Sequence, residues 1–184
     1  MGSENLSGAV NQQERPDFEQ WVVGFVDGEG CFSISVVKNS GCRLGWQVQH
    51  EFSVTQAEPS LHVLEDLIDF FGCGSVIVNN RHDDHRYRLA RYSVKGRVDL
   101  IERVIPFFEA NPLKTAKKGD FESFRSVLSM MSEGSHLTRE GLDAIAVITE
   151  STNRKTRSRY LESSEAIRQP PLLDGRGEDM VRTP

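Results

Sequence analysis

The sequence predicts an α+β fold organised around one antiparallel sheet, and three observations predict it. Two pairs of short segments alternate apolar and polar residues with a period of two, and turn-forming residues join each pair. Apolar stripes at helical spacing precede, separate and follow those pairs. The resulting order, helix–hairpin–helix–hairpin–helices, is that of a mixed fold with a single antiparallel sheet. At 184 residues, 38% hydrophobic and 27% charged, the chain has the size and composition of one globular domain with a real core.

The chain is read as a disordered polar lead over residues 1–16, one domain over 17–168 and a disordered tail over 169–184. The first helix is expected to start near Asp17, a reasonable cap after Pro16. It continues through Trp21-Val22-Val23-Gly24-Phe25-Val26-Asp27-Gly28-Glu29-Gly30. Val22, Val23, Phe25 and Val26 make it apolar nearly all round, so it should be buried on more than one side. Gly24 and Gly28 lie four apart on one face, where missing side chains admit a second backbone. Packing within one chain is the competing explanation for them. Gly30 is read as the helix terminator, in positive φ. Asp27 and Glu29 fall on the last turn, beside the negative end of the helix dipole, an unfavourable place for carboxylates unless a cation is present. Function is expected to override propensity there.

After Gly30 the period changes to two. Phe32, Ile34 and Val36 alternate with small polar residues, and Asn39-Ser40-Gly41 supplies a turn. In the second strand Trp46, Val48, His50, Phe52 and Val54 face one way, and Gln47, Gln49, Glu51, Ser53 and Thr55 the other. The polar face carries amides and hydroxyls of the kind that pair with base edges, and a two-stranded ribbon fits a major groove. A plain solvated sheet surface is the alternative. Pro59 opens a helix over Ser60–Phe71, which Gly72 and Gly74 end. The second hairpin runs Ser75–Asn79, a polar loop, then Arg86–Val94, with Tyr87 and Leu89 expected inward and Arg86 and Arg88 on the polar face. Val98, Ile101, Val104, Ile105 and Phe108 mark a helix that Pro106 must kink or shorten. Phe121, Phe124, Leu128 and Met131 mark the next, Leu142, Ile145, Ala146 and Thr149 another, and a last helix is expected over Ser158–Arg168.

The net charge of −5 argues against a nucleic-acid partner only if it is taken as one number. Basic charge gathers at Arg81, Arg86, Arg88, Arg91, Lys95 and Arg97, and again at Arg154, Lys155, Arg157 and Arg159. Two such stretches on an acidic body suit a face that contacts phosphate, or two solvated surfaces. No apolar run approaches the ~20 residues of a membrane span. Signal and transit patterns are not seen, and three cysteines without a CxxC pair suggest reduced thiols in an intracellular protein. His82-Asp83-Asp84-His85 offers a competing metal site at a hairpin tip.

Val22 to Gly30 resembles the signature of the LAGLIDADG homing endonuclease family, with Gly24, Asp27 and Gly30 at its fixed positions and Glu29 as its second acid. The resemblance covers roughly residues 18–168, and the order of elements matches the family's αββαββα arrangement, with additional C-terminal helices. It implies a four-strand saddle over the DNA major groove and motif helices of two copies packed beneath the centre of the site. One motif in this chain implies a homodimer, with Val22, Gly24, Phe25 and Gly28 at the interface. The implied activity is site-specific double-strand cleavage of a long pseudo-palindromic DNA, the gene lying in an intron or an intein. The implied cofactor is Mg²⁺, with Mn²⁺ or Ca²⁺ able to occupy the same site. Glu29 and the Gly28 carbonyl are the implied ligands, and Gln56, ending Val54-Thr55-Gln56, the residue that orders waters. Asp27 is read as a cap or brace on the partner's motif helix. The resemblance also implies a lysine after the third helix that helps polarise the nucleophile or stabilise the transition state. Lys114 and Lys117 both qualify, with Lys114 slightly preferred. The implied DNA-contacting residues are Ser33, Ser35, Val37, Asn39, Gln47, Gln49, Ser53, Arg81, Arg86, Arg88, Arg154, Lys155 and Arg157. Ala57-Glu58-Pro59-Ser60 departs from the family by lacking an arginine, so another arginine must substitute or phosphate clamping is weaker. Membrane and small-molecule partners are not implied. The alternative is the same scaffold as a DNA- or RNA-binding intron maturase or transcription regulator without cleavage.

Overall fold

The computed structural model describes residues 14–79, 87–152 and 159–161. The expected disordered lead and tail, apart from residues 14–16, lie outside them. A first helix, α1 (Glu14–Glu29), runs directly into β1 (Gly30–Lys38), which pairs with β2 (Trp46–Ala57). A short 3₁₀ turn (Glu58–Ser60) leads into α2 (Leu61–Phe71), followed by β3 (Ser75–Asn79) and β4 (Leu89–Val94). The remainder is helical: α3 (Arg97–Asp99), a π turn (Leu100–Val104), α4 (Ile105–Ala110), α5 (Lys117–Ser132), a 3₁₀ turn (Ser135–Leu137) and α6 (Arg139–Thr152).

The four strands form one antiparallel sheet in the order β1-β2-β4-β3. β2 is the long central strand, bonded to β1 from Trp46 to Val54 and to β4 from Phe52 to Ala57. Alternation sends Phe32, Ile34 and Val36, Val48, Phe52 and Val54, and Ala90, Tyr92 and Val94 to one face, where all are buried. The helices cover that face, and Phe32 lies at its centre, within 4.9–5.5 Å (ring centroids) of Phe52, Phe108, Phe121 and Phe124. Stacked pairs such as Phe32–Phe52 and edge-to-face pairs such as Phe32–Phe108 add about 0.5–1.5 kcal/mol each to the burial of apolar area.

Three expectations change. α1 begins at Glu14, three residues before Asp17, with Pro16 tolerated in its first turn. Gly30 does not take positive φ, as Gly45, Gly72, Gly74 and Gly134 do. Its glycine is required because a Cβ would sit 2.5 Å from Val26 Cγ1 and 2.7 Å from the Val26 carbonyl. Pro106 stands in the first turn of α4, and the irregularity falls before it as a π turn, with the Ile105 N–H reaching the Leu100 carbonyl. That turn also leaves Val98 63% exposed while Leu100 is buried. Finally, β4 is turned over relative to expectation. Ala90, Tyr92 and Val94 face the core, so Leu89, Arg91 and Ser93 take the outer face, and Tyr87 is exposed. A shift of one residue exchanges every side chain between the two faces.

Candidate active site and nucleic-acid interface

The last carbonyls of α1 have no partner within the helix, and the chain enters β1 without a loop. Lys117, at the start of α5, supplies the cation that this helix end demands. Its Nζ donates to the Gly28 carbonyl at 2.7 Å and to the Asp27 carbonyl at 3.2 Å. Lys114 contributes only its backbone: its N–H donates to Asp27 Oδ2 at 2.8 Å, and its side chain is exposed. Of the two candidate lysines, therefore, the ammonium that reaches the motif is that of Lys117.

Asp27, expected as a cap or brace on a partner's motif helix, is engaged here by its own chain. Its carboxylate accepts the Lys114 N–H, the Thr115 N–H at 3.1 Å and the Thr115 hydroxyl at 2.8 Å. Burial would raise its pKa. The hydrogen bonds from Lys114 and Thr115 and the nearby Lys117 charge outweigh that and hold the group below the ordinary Asp value. Asp27 thereby clamps the loop from which Lys117 projects. Two residues on, Glu29 is exposed and makes no hydrogen bond or ion pair with any described residue. Gly30 pairs with Val54, so Gln56, two residues further along β2 and half-buried, lies alongside the end of α1.

The oxygen donors suit a hard divalent cation: the exposed Glu29 carboxylate and the second lone pair of the Gly28 carbonyl, whose first is taken by Lys117. They are also too few. No group of three or more His, Cys, Asp or Glu that could hold a metal exists among the described residues. A six- to eight-oxygen shell would need a second carboxylate, phosphate and water.

The outer side of α1 is open among the described residues. A Cβ at Gly24 or Gly28 would touch nothing within 4 Å, so neither glycine is required by packing within the described chain. Trp21 is 39% exposed and stacks on Phe25 at 4.7 Å, giving an open stripe of Trp21, Gly24, Phe25 and Gly28. Val22 does not belong to it. It is 0% exposed, because positions 22, 23 and 26 turn toward the sheet. Trp21 was missed, although its spacing from Gly24, Phe25 and Gly28 is helical.

The sheet face away from the helices carries Ser33, Ser35 and Val37 of β1 and Gln47 and Gln49 of β2. Ser33 Oγ donates to the Glu51 carbonyl at 3.3 Å, and Asn39 Nδ2 to Gln47 Oε1 at 2.8 Å. Two of the expected contact residues are engaged within the chain. Ser53 points outward but is only 2% exposed, roofed by the Arg91 guanidinium. Arg88 lies on the other parity and clasps Glu58 bidentately at the sheet corner, bringing a guanidinium to the Ala57–Ser60 stretch that lacks its own. The Glu58 carboxyl is held below its usual range chiefly by the hydrogen bond from Arg88, and the Arg88 pKa is raised in return. Arg91, Glu51 and the exposed Ile77 occupy the outer face and were not among the expected contacts; the correct parity of β4 would have added Arg91. Arg81, Arg86, Arg154, Lys155 and Arg157, and the His82–His85 alternative, lie outside the described residues.

A family model for LAGLIDADG endonucleases matches residues 22–128. A Neurospora crassa protein described as probable intron-encoded endonuclease 3 is 34% identical over 135 residues, 72% of this chain and 24% of its own length. The chain spans about a quarter of the length of that relative and of a second from the same fungus, at 24% and 27%. Among solved structures, the homing endonuclease I-TnaI is 42% identical with a TM-score of 0.70, over 82% of this chain and 97% of its own. I-SmaMI bound to an uncleaved DNA target in the presence of calcium ions is 35% identical with a TM-score of 0.72, over 80% and 48% of the two chains.

Proposed function

The chain belongs to the LAGLIDADG endonuclease family, and from that premise we propose that it is a site-specific homing endonuclease working as a homodimer on a long pseudo-palindromic duplex. Two copies join through the Trp21, Gly24, Phe25 and Gly28 stripe. Their α1 ends then bring one Glu29 from each copy to a shared axis. Each half-site occupies about one helical turn, so the whole target spans about two. The outer sheet face lies in the major groove, its hydroxyls and amides toward base edges and its cations toward phosphate.

A divalent cation, Mg²⁺ with Mn²⁺ or Ca²⁺ able to replace it, would be held by Glu29 and the Gly28 carbonyl and would supply Lewis acidity and an acidified water. Lys117 places positive charge where the scissile phosphate gains negative charge, and Asp27 fixes the loop that aims it. Gln56 orders water beside the phosphate. The observation that carries the reading is the pairing of an exposed, unpartnered Glu29 with a helix face whose glycines are open to a second copy.

The test is cleavage of a duplex selected from a randomised library, with Glu29→Gln beside the parent. The variant should lose at least about 10²-fold in cleavage rate, with Mg²⁺ present, and keep its affinity, since it removes a metal ligand and no groove contact. A variant that cuts like the parent refutes the assignment. A parent that binds its selected duplex and leaves it whole is a non-cleaving regulator or maturase.

A further inference from the structure

The outer sheet face holds one charged cluster whose geometry says more than that DNA binds there. Arg91 stands on β4 opposite Thr55 of β2, but its guanidinium leaves that register. Nη2 donates to Glu51 Oε2 at 2.9 Å and to Ser53 Oγ at 3.0 Å, so the side chain lies back along β2 against the sheet. Lys95 Nζ is 3.9 Å from the other oxygen of Glu51. Among the described strand positions of this face, Glu51 is the one carboxylate, and it is the less exposed partner, at 20% against 42% for Arg91.

A carboxylate on a surface that meets a polyanion works against binding unless the nucleic acid offers it a donor. The donor count of Arg91 sharpens the point. Both Nη2 hydrogens are engaged and Nε is buried without a partner, so only Nη1 faces outward while Glu51 holds the group. One end of a guanidinium cannot make the bidentate contact that distinguishes guanine. Release requires something else to satisfy Glu51, and in the major groove that is the amino group of cytosine or adenine. Of the base pairs, G·C alone joins an amino donor on one base to two adjacent acceptors on the other.

We propose that Glu51 is a specificity-determining residue that holds Arg91 against the sheet and yields it to a G·C pair. A non-cognate duplex instead meets an arginine whose charge Glu51 neutralises and whose Nη2 hydrogens are already engaged. The inference rests on the DNA-binding reading of this face and adds to it a discriminating acid.

The experiment is enrichment of a randomised duplex library on the purified protein in Ca²⁺, for the parent, Glu51→Gln and Arg91→Gln, with affinity for random-sequence duplex measured beside it. The parent should enrich G·C at one position in each half-site. Glu51→Gln should flatten that position alone and bind random duplex about three- to tenfold tighter at low salt. Arg91→Gln should flatten the same position without the gain in random binding. A Glu51→Gln variant that enriches the parent motif with undiminished weight overturns the proposal, as does one that loses every position together. Should the parent itself enrich no motif, the DNA reading fails with it, a result distinct from either.

Discussion

Replacing Gly24 with alanine separates what one chain needs from what a pair of chains needs, because the two demand opposite signs. Within a single protomer a Cβ at Gly24 meets nothing within 4 Å, and the position is interior to α1. Alanine should then stabilise the isolated chain by about 0.8–1 kcal/mol, the difference in helix propensity. That is a factor of about four to five in the folding equilibrium and a rise of about 2–4 °C in Tm for a domain of this size. Across a helix–helix contact the same methyl enters twice, once from each copy, where a backbone is meant to approach. Overpacking costs about 1–3 kcal/mol per site, so the dimer should weaken by about 2–6 kcal/mol, at least about thirtyfold in Kd. Urea unfolding over a hundredfold range of protein concentration, with sedimentation equilibrium, reads both effects. The parent midpoint should climb with concentration. The variant should start higher at low concentration and barely climb. A variant that associates as tightly as the parent, or is less stable than the parent when dilute, would refute the reasoning.

Further predictions test the motif from other sides. Asp27→Asn should cost on the order of 1–3 kcal/mol, since an amide oxygen cannot satisfy the Lys114 and Thr115 donors as a carboxylate does. Because the folded Asp27 pKa is depressed, its contribution is present above the unfolded value of about 4 and is lost as pH falls through the folded value. Urea titrations from pH 6 to pH 2 should show the parent losing that increment below about pH 4, and Asp27→Asn lacking that component of the loss; parallel curves would count against the clamp. Lys117→Met should slow cleavage by about 10²-fold or more, while Lys114→Met, which keeps the backbone donor to Asp27, should stay near the parent in single-turnover assays; equal losses would reject Lys117 as the acting group. Gly30→Ala should lower stability by about 1–3 kcal/mol in thermal melts, because the Cβ meets the Val26 carbonyl at 2.7 Å and backbone must yield.

The strands and helices were readable wherever burial allowed only one phase. β1 and β2 alternate cleanly because Phe32, Ile34 and Val36, and Val48, Phe52 and Val54, have no apolar competitors on the other face apart from Val37. β4 does have competitors: Tyr87 and Leu89 offer one apolar phase, Ala90, Tyr92 and Val94 the other, and which phase wins depends on the helices packed beneath. That ambiguity moved the arginine of interest from Arg88 to Arg91. The two lysines were undecidable for a similar reason. They stand three positions apart, and the hold of Asp27 on the Lys114 and Thr115 N–H groups fixes the loop before α5 so that Lys117 reaches the helix end. Gly24 and Gly28 were legible as a close-approach face, but a sequence does not say whether the approaching backbone belongs to the same chain. The open space above them removes the described chain from consideration.

The two acids of the motif, two residues apart, diverge because successive positions on a helix are turned by about 100°, which sends Asp27 toward the α4–α5 loop and Glu29 toward solvent. Had both pointed outward, two carboxylates and a helix C-terminus would have stood together with one ammonium to balance them. Engaging Asp27 with three donors turns its charge to positioning Lys117, and Lys117 in turn covers the carbonyls of Asp27 and Gly28. What remains unbalanced is Glu29 alone, at the negative end of the dipole, on the edge of a face that a second copy can reach. Among the described residues of the motif that leaves one unbalanced carboxylate per chain, and the proposed cation and the proposed second copy would both meet it at the same place. This is why the exposed acid and the empty helix face belong to one explanation rather than two.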